Sequence, residues 1–131
     1  MASLLLASLA AAVGAWRLLV PRPQVLIGAT FARGSDAGDV VLRAGQPIRV
    51  MLAMPHEFGA DGLVDLELHH LGEDDRVLQV IPLRASARDD QVVFAMSDVT
   101  RLVGTARGRF RVLFIRDGQR LAGGEFSVPP P

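Results

Sequence analysis

Two hydrophobic patterns divide the chain. Residues 2–20 are almost continuously apolar, and Arg17 is the only charged residue among them. From Gln24 onward, apolar and polar positions alternate, and glycine, proline, aspartate or serine interrupts the alternation at short intervals. The first pattern is typical of a helix in a lipid bilayer, whereas the second is typical of short, half-buried β-strands.

The apolar segment predicts a transmembrane helix over residues 1–20. Nineteen residues at a rise of ~1.5 Å span roughly 28 Å, about the thickness of the hydrocarbon core. The prolines of the linker 21–23 end the helix because they cannot donate backbone hydrogen bonds. The alternative is a cleaved signal peptide, with Val13-Gly14-Ala15 as the cleavage site. The absence of a basic region ahead of the apolar run favours the retained helix.

Small side chains recur at helical spacing along one face of this helix. Such residues let another transmembrane helix approach closely, so we expect contact with integral membrane protein subunits. A chance stripe in an alanine-rich segment is the alternative. The residues of this helix-packing face are Ser3, Ala7, Ala11 and Ala15, with Gly14 beside them.

The sequence carries conflicting signals about the side of the membrane. Arg17, Arg22 and Arg33 all follow the helix, and the positive-inside rule would place the rest of the chain in the cytoplasm. The fold expected below is commoner outside the cytoplasm. We expect a single-pass protein of the bacterial inner membrane with a periplasmic domain, and the cytoplasmic side is the alternative.

The alternating part, residues 24–131, predicts one all-β domain of seven or eight strands. The segment SDVTRLVG predicts one helical turn, capped by Ser97 or Asp98. Asp117-Gly118 predicts a tight hairpin. A β-sandwich lets the apolar faces of these strands meet in one core. The predicted strands are 24–32, 39–44, 47–54, 62–71, 76–83, 91–96, 107–117 and 119–128.

The last third of the chain resembles bacterial immunoglobulin-like and fibronectin-type domains. In such domains a short turn precedes Gly-x-Tyr/Phe with alternating apolar residues, a hairpin and a final strand. The matching segments here are SDVTRLVG and GRFRVLFIRDGQRLAGGEFSV. Phe110 stands where tyrosine is common, and the Cys…Trp…Cys framework is missing. The resemblance implies an immunoglobulin-like β-sandwich over residues 24–131 and no particular function.

Composition and motifs argue against several functions. A net charge of zero and few aromatic side chains argue against nucleic acid binding. The chain has no cysteine, and no Gly-x-Ser-x-Gly motif is present. The segment ELHHLGEDD is the strongest metal candidate, but adjacent residues such as His69 and His70 point to opposite faces of a strand. We therefore expect no enzymatic activity, no cofactor and no metal.

The charged residues have a structural interpretation. Asp65 and Glu67 lie in one predicted strand, and Arg109 and Arg111 lie in another. In an immunoglobulin-like sheet these two strands would be neighbours. We expect the acids to face the arginines across the ladder, with roughly 0.2–1 kcal/mol of stabilisation from each pair.

Some apolar residues are expected to point away from the core. The alternation buries Phe110 and its partners, so Leu113, Ile115 and Met51 would point outward. Adjacent apolar residues on a sheet face can mark a docking surface. Cover by the N-terminal linker or a loop is the alternative.

These observations favour a non-enzymatic accessory subunit that docks to and stabilises a larger bacterial membrane protein complex, in a respiratory or photosynthetic setting. Its partners would be integral membrane protein subunits and, through residues 2–20, the lipid bilayer. The alternative is a free-standing envelope module that binds a small ligand, a peptide or a metal.

Overall fold

The computed structural model of the protein describes residues 22–28, 40–72 and 74–131. The predicted transmembrane helix lies outside these residues. Within the described part of the chain, no helix is long and apolar enough to cross a membrane. The helix-packing face also falls outside the described residues; it consists of Ser3, Ala7, Ala11, Gly14 and Ala15.

The described residues form an all-β, sandwich-like fold of two antiparallel sheets and one helical turn, α1 (Thr100–Val103). The strands are β1 (Gln24–Gly28), β2 (Ile48–Ala53), β3 (Gly62–Leu71), β4 (Arg76–Ala85), β5 (Gln91–Met96), β6 (Gly108–Arg116) and β7 (Gln119–Val128). The smaller sheet has the order β1-β2-β5, and the larger sheet has the order β4-β3-β6-β7.

Side chains from both sheets meet in one hydrophobic core. In β3, Val64, Leu66 and Leu68 are buried, whereas the residues between them are partly exposed. This period of two is what the sequence predicts for a strand with one buried face. Among the largest buried side chains are Phe110, Phe114 and Phe126 from the larger sheet and Ile48 and Leu52 from the smaller sheet.

The predicted strand over 39–44 is wrong in its described part, residues 40–44. Its only ladder contact there is an isolated parallel bridge between Val41 and Ser127. The Leu42 N–H donates to the Ser127 carbonyl at 2.9 Å, and the Ser127 N–H donates to the Val40 carbonyl at 2.8 Å. This short segment therefore pairs with one end of β7 without forming a strand.

Both predicted turn signals are confirmed. Asp117 and Gly118 have φ values of 52° and 75°, and two positive φ values are what a type I′ hairpin turn requires. The N-cap position is Val99 and neither Ser97 nor Asp98, but Asp98, one residue earlier, accepts hydrogen bonds from the start of α1. Its Oδ1 accepts the Thr100 N–H at 2.9 Å and the Thr100 hydroxyl at 2.7 Å. It also accepts the Gly45 N–H at 3.0 Å, so it joins α1 to a distant turn.

The sandwich closes where β1 packs against β7. A Cβ atom on Gly124 would lie 3.1 Å from both Val25 Cγ1 and Ile27 Cδ1. Gly124 pairs with Val112, which is completely buried, so it faces the core. Glycine at this position gives the side chains of β1 the space that they occupy.

Candidate functional site

The side chains of the larger sheet that point away from the core form one surface, here called the outer face. Strand alternation and register determine its members, because residues that pair across a ladder lie on the same side of the sheet. They are Leu63, Asp65, Glu67 and His69 of β3; Val77, Val80, Pro82 and Arg84 of β4; Arg109, Arg111, Leu113 and Ile115 of β6; and Arg120, Gly123 and Glu125 of β7.

Glu125 holds two arginines at one end of the outer face. Arg111 Nη2 lies 3.1 Å from Glu125 Oε2, and Arg109 Nη2 donates to Glu125 Oε1. These hydrogen bonds, first from Arg109 and then from Arg111, lower the pKa of the Glu125 carboxyl below its ordinary value. Burial opposes the shift, but the two guanidinium groups outweigh it.

His69 extends this charged network across β3. Its Nε2 lies 3.1 Å from Glu67 Oε1, and its Nδ1 lies 3.2 Å from Asp75 Oδ1. Both contacts are hydrogen bonds when both ring nitrogens carry protons. Asp75 Oδ2 is also 3.8 Å from Arg111 Nη1, so the network continues to β6. The charges at this end of the outer face therefore have partners within the chain.

The predicted pairing of Asp65 and Glu67 with Arg109 and Arg111 is wrong in register. The strands β3 and β6 are neighbours in one sheet, as expected. However, the ladder places Glu67 opposite Leu113 and not opposite Arg109. Alternation assigns a residue to a face of the sheet but does not determine the register between two strands that are distant in sequence.

Glu125 is a site residue that the sequence reasoning missed. The Asp117-Gly118 hairpin is a usable signal, because a tight turn sets the register of its two strands. Counting back from the turn alone would place Arg111 opposite Gly124. A β-bulge between Phe114 and Ile115 shifts the ladder by one position and brings Arg111 opposite Glu125.

The other end of the outer face carries most of its apolar side chains. Leu63 and Val80 are 54% and 52% exposed, and they lie on the neighbouring strands β3 and β4. Leu113 is partly covered because it lies over Gly123, where a Cβ atom would approach Leu113 Cδ2 to 2.7 Å. We call this region the apolar half of the outer face; it consists of Leu63, Val80, Pro82, Leu113 and Ile115.

Three charged side chains accompany the apolar half: Arg84 and Arg120 lie at its edges, and Asp65 lies within it. Asp65 pairs with Pro82 and Ile115 in the ladders, Arg84 pairs with Leu63, and Arg120 pairs with Ile115. Arg120 Nη2 also lies 3.2 Å from the position of a Cβ on Gly123. Within the part of the chain that the structure describes, the side chains of these three residues form no hydrogen bond or ion pair. They contrast with the paired charges at the other end.

The residues predicted as one docking surface lie on two different sides of the molecule. Leu113 and Ile115 belong to the outer face of the larger sheet. Met51 lies in the ladder of the smaller sheet, between Leu26 of β1 and Val93 of β5. Its neighbours in β2 are buried, so Met51 points away from the core on the opposite side. No single flat partner surface can contact all three residues.

The two adjacent histidines point to different sides of the sheet. His69 lies in the charged network, whereas His70 stacks on buried Phe110 with ring centroids 4.9 Å apart. His70 Nε2 donates to the Arg107 carbonyl at 2.8 Å. Among residues 22–28, 40–72 and 74–131, no group of three or more histidine and carboxylate side chains could hold a metal ion.

Comparisons with known proteins give no family. No protein-family model matches the chain, and no curated protein matches it. Among solved structures, it resembles a β-glucosidase from Listeria innocua in complex with isofagomine, with 12% identity and a TM-score of 0.41 over 69% of this chain. It also resembles a β-glucosidase involved in saponin metabolism from intestinal bacteria, with 14% identity and a TM-score of 0.43 over 82% of this chain.

The expectation that the chain has no enzymatic activity is corrected by this comparison. Both solved structures are β-glucosidases, and the expectation is therefore withdrawn. The chain spans 15% of the length of each of them. At these TM-scores the likeness assigns no catalytic role to any residue of this chain.

Proposed function

We propose that this protein is an accessory subunit that docks to a larger bacterial membrane protein complex and stabilises it. Residues 1–20 would anchor the chain in the inner membrane, and the sandwich would contact the partner subunits in the periplasm. The helix-packing face would contact the transmembrane part of the same complex. The N-terminal segment would thus serve as the anchor, and the sandwich would serve as the docking domain.

We further propose that the sandwich is of the immunoglobulin-like or fibronectin type. The strand order supports this assignment, because consecutive strands are distributed between two sheets. In the constant-type immunoglobulin order the fourth strand joins the sheet of the first two strands. Here β4 pairs with β3 in the other sheet, which favours the fibronectin-type variant.

The apolar half of the outer face is the observation that carries the docking proposal. Leu63 and Val80 are more than half exposed, and they lie on the same surface as Leu113 and Ile115. Asp65 and Glu67 of β3 lie among these apolar side chains, and a partner that covers the surface removes its apolar area from water. Burial of this surface by a subunit would contribute about 25 cal/mol for each Å² of apolar area.

Site-specific cross-linking in native membranes tests the proposal. A photoreactive amino acid replaces Leu113 on the outer face, and the matched control carries it in place of Val93 on the smaller sheet. We expect adducts of one defined membrane subunit from position 113 and none from position 93. A full chain that purifies from mild detergent as a monomer, without adducts from either position, would contradict the proposal.

The anchor has a separate test. Replacing Ala7 and Ala11 with leucine enlarges the helix-packing face without changing its hydrophobic character. We expect this variant to remain in the membrane fraction but to lose most of the co-purifying subunit. Unchanged co-purification would show that the helix face makes no contact with the partner.

A further inference from the structure

We infer that the apolar half of the outer face binds a protein surface with an apolar centre and acidic side chains on both sides of it, opposite Arg84 and Arg120. A basic side chain of the partner would lie between them, opposite Asp65. This inference rests on the proposed docking function and specifies the chemistry of the partner.

The unequal pairing of charges along the outer face is the first argument. At one end, Glu125 binds two arginines, and His69 lies between two carboxylates. At the apolar end, Asp65, Arg84 and Arg120 have no such partner among the described residues. A charge that is covered without a partner loses hydration and gains nothing in return. A protein that covers the apolar half must therefore supply opposite charges to these three side chains.

The positions of the charges define the arrangement that the partner must match. Arg84 lies on β4 at one edge of the sheet, and Arg120 lies on β7 at the other edge. Three strand spacings of ~4.8 Å separate these edges by roughly 14 Å. Asp65 lies on β3, between the two arginines. A single acidic group cannot contact both arginines, so the partner needs one carboxylate towards each edge.

A shallow depression beside Leu63 provides room for an inserted side chain. It has a volume of about 240 Å³, and its lining includes Asp61, Leu63, Arg84 and Ser86. Leu63 and Arg84 belong both to this depression and to the outer face. An apolar side chain of the partner that enters it would contact Leu63, while an adjacent carboxylate could reach Arg84.

A second copy of this chain matches the surface less well. In a two-fold contact each copy presents the same residues to the other. Each copy would bring two arginines, Arg84 and Arg120, but only one unpaired acid, Asp65. One arginine of each copy would then be covered without a counter-charge, so the charges favour a different protein.

Selection from a random peptide display library on the immobilised full chain tests the inference. We expect the enriched peptides to combine apolar residues with two or more acidic residues. The double variant Arg84→Glu/Arg120→Glu should weaken binding of these peptides by about tenfold or more. The matched control Arg43→Glu/Arg88→Glu makes the same change in net charge at two exposed arginines outside the outer face and should bind as the unaltered chain does.

Each other outcome has a defined meaning. Enrichment of neutral or basic peptides, or binding that survives Arg84→Glu/Arg120→Glu, would overturn the inference. Dimerisation of the full chain that Val80→Glu abolishes would also overturn it, because a second copy would then occupy the surface. Adducts from position 113 without acidic peptides would leave the docking function intact and remove only the partner chemistry. Enrichment of acidic peptides without any membrane adduct would support the partner chemistry and contradict docking to a membrane subunit.

Discussion

Arg111 and Glu125 face each other across the β6–β7 ladder, and Arg111 Nη2 lies 3.1 Å from Glu125 Oε2. The same carboxylate accepts a hydrogen bond from Arg109, which lies two residues before Arg111 in β6. Glu125 thus links two outward side chains of one strand to the last strand of the sheet. Its ionised state stabilises the outer face in a way that depends on pH.

We expect Glu125→Gln to destabilise the protein more at neutral pH than in acid. The arginines lower the pKa of Glu125 in the folded state, so its contribution is present above the ordinary carboxyl pKa. This contribution is lost as the pH falls through the lowered pKa. Urea unfolding at about pH 7 and about pH 3 measures the difference between the variant and the original protein. Glu57→Gln, at an exposed position, is the control. A difference for Glu125→Gln that is equal at both pH values would contradict the assignment.

A double-mutant cycle tests the register of the charges. We expect a coupling free energy of about 0.2–1 kcal/mol between Arg109 and Glu125. We expect a coupling near zero between Arg109 and Glu67, because the ladder separates these residues. Alanine variants of each residue and of each pair, unfolded in urea, provide the two values. A larger coupling for Arg109 and Glu67 would restore the register that the sequence predicts.

A methyl group added at Gly124 should crowd the core. We expect Gly124→Ala to lower the free energy of unfolding by about 1–3 kcal/mol, the usual cost of overpacking a core. The added methyl would meet Val25 and Ile27 at 3.1 Å. Gly72→Ala is the control because a Cβ at Gly72 has no neighbour within 4 Å. Thermal or urea unfolding compares the two variants. Equal stability of both would contradict the close packing of β1 on β7.

Asp98 should contribute to the stability of the fold although its side chain is not buried. We expect Asp98→Ala to lower the melting temperature, because it removes the acceptor for two Thr100 groups and for the Gly45 N–H. Asp98→Asn keeps an acceptor oxygen and should retain most of the stability. Asp74→Ala is the control for loss of an exposed carboxylate. A melting temperature of Asp98→Ala that matches the Asp74→Ala value would show that the link between α1 and the Gly45 turn has no stabilising role.

The charge on Asp98 should also contribute to acid sensitivity. The hydrogen bonds from Thr100, first from its hydroxyl and then from its backbone, lower the pKa of the Asp98 carboxyl. Its stabilising effect is therefore present above the ordinary carboxyl pKa and is lost as the pH falls. The difference in melting temperature between the original protein and Asp98→Asn should shrink in acid. A difference that grows in acid would contradict this sign.

Local signals in the sequence were sufficient for most of the strands. The predicted bounds of β3, β5 and β7 agree with the structure, because alternation and flanking turn residues mark both ends of each strand. The segment 40–44 has a similar local pattern but forms only an isolated bridge. Its pairing partner is Ser127, near the C-terminal end of the sequence, and local sequence patterns do not predict contacts over such a separation.

The sequence alone determined which side chains point inward and which point outward, since the two-residue period of a strand needs no knowledge of its partner. It also determined the Asp117-Gly118 turn. Only the tertiary structure decided the register of β3 on β6, which no hairpin connects. The observed register differs from the expected pairing by four positions along β6. A shift by an even number of residues keeps each side chain on the same face of the sheet but changes its cross-strand partner. The faces of β3 and β6 were therefore predicted correctly, whereas the charge pairs between them were not. The observed register leaves Arg84 and Arg120 at the edges of the apolar half and Asp65 within it.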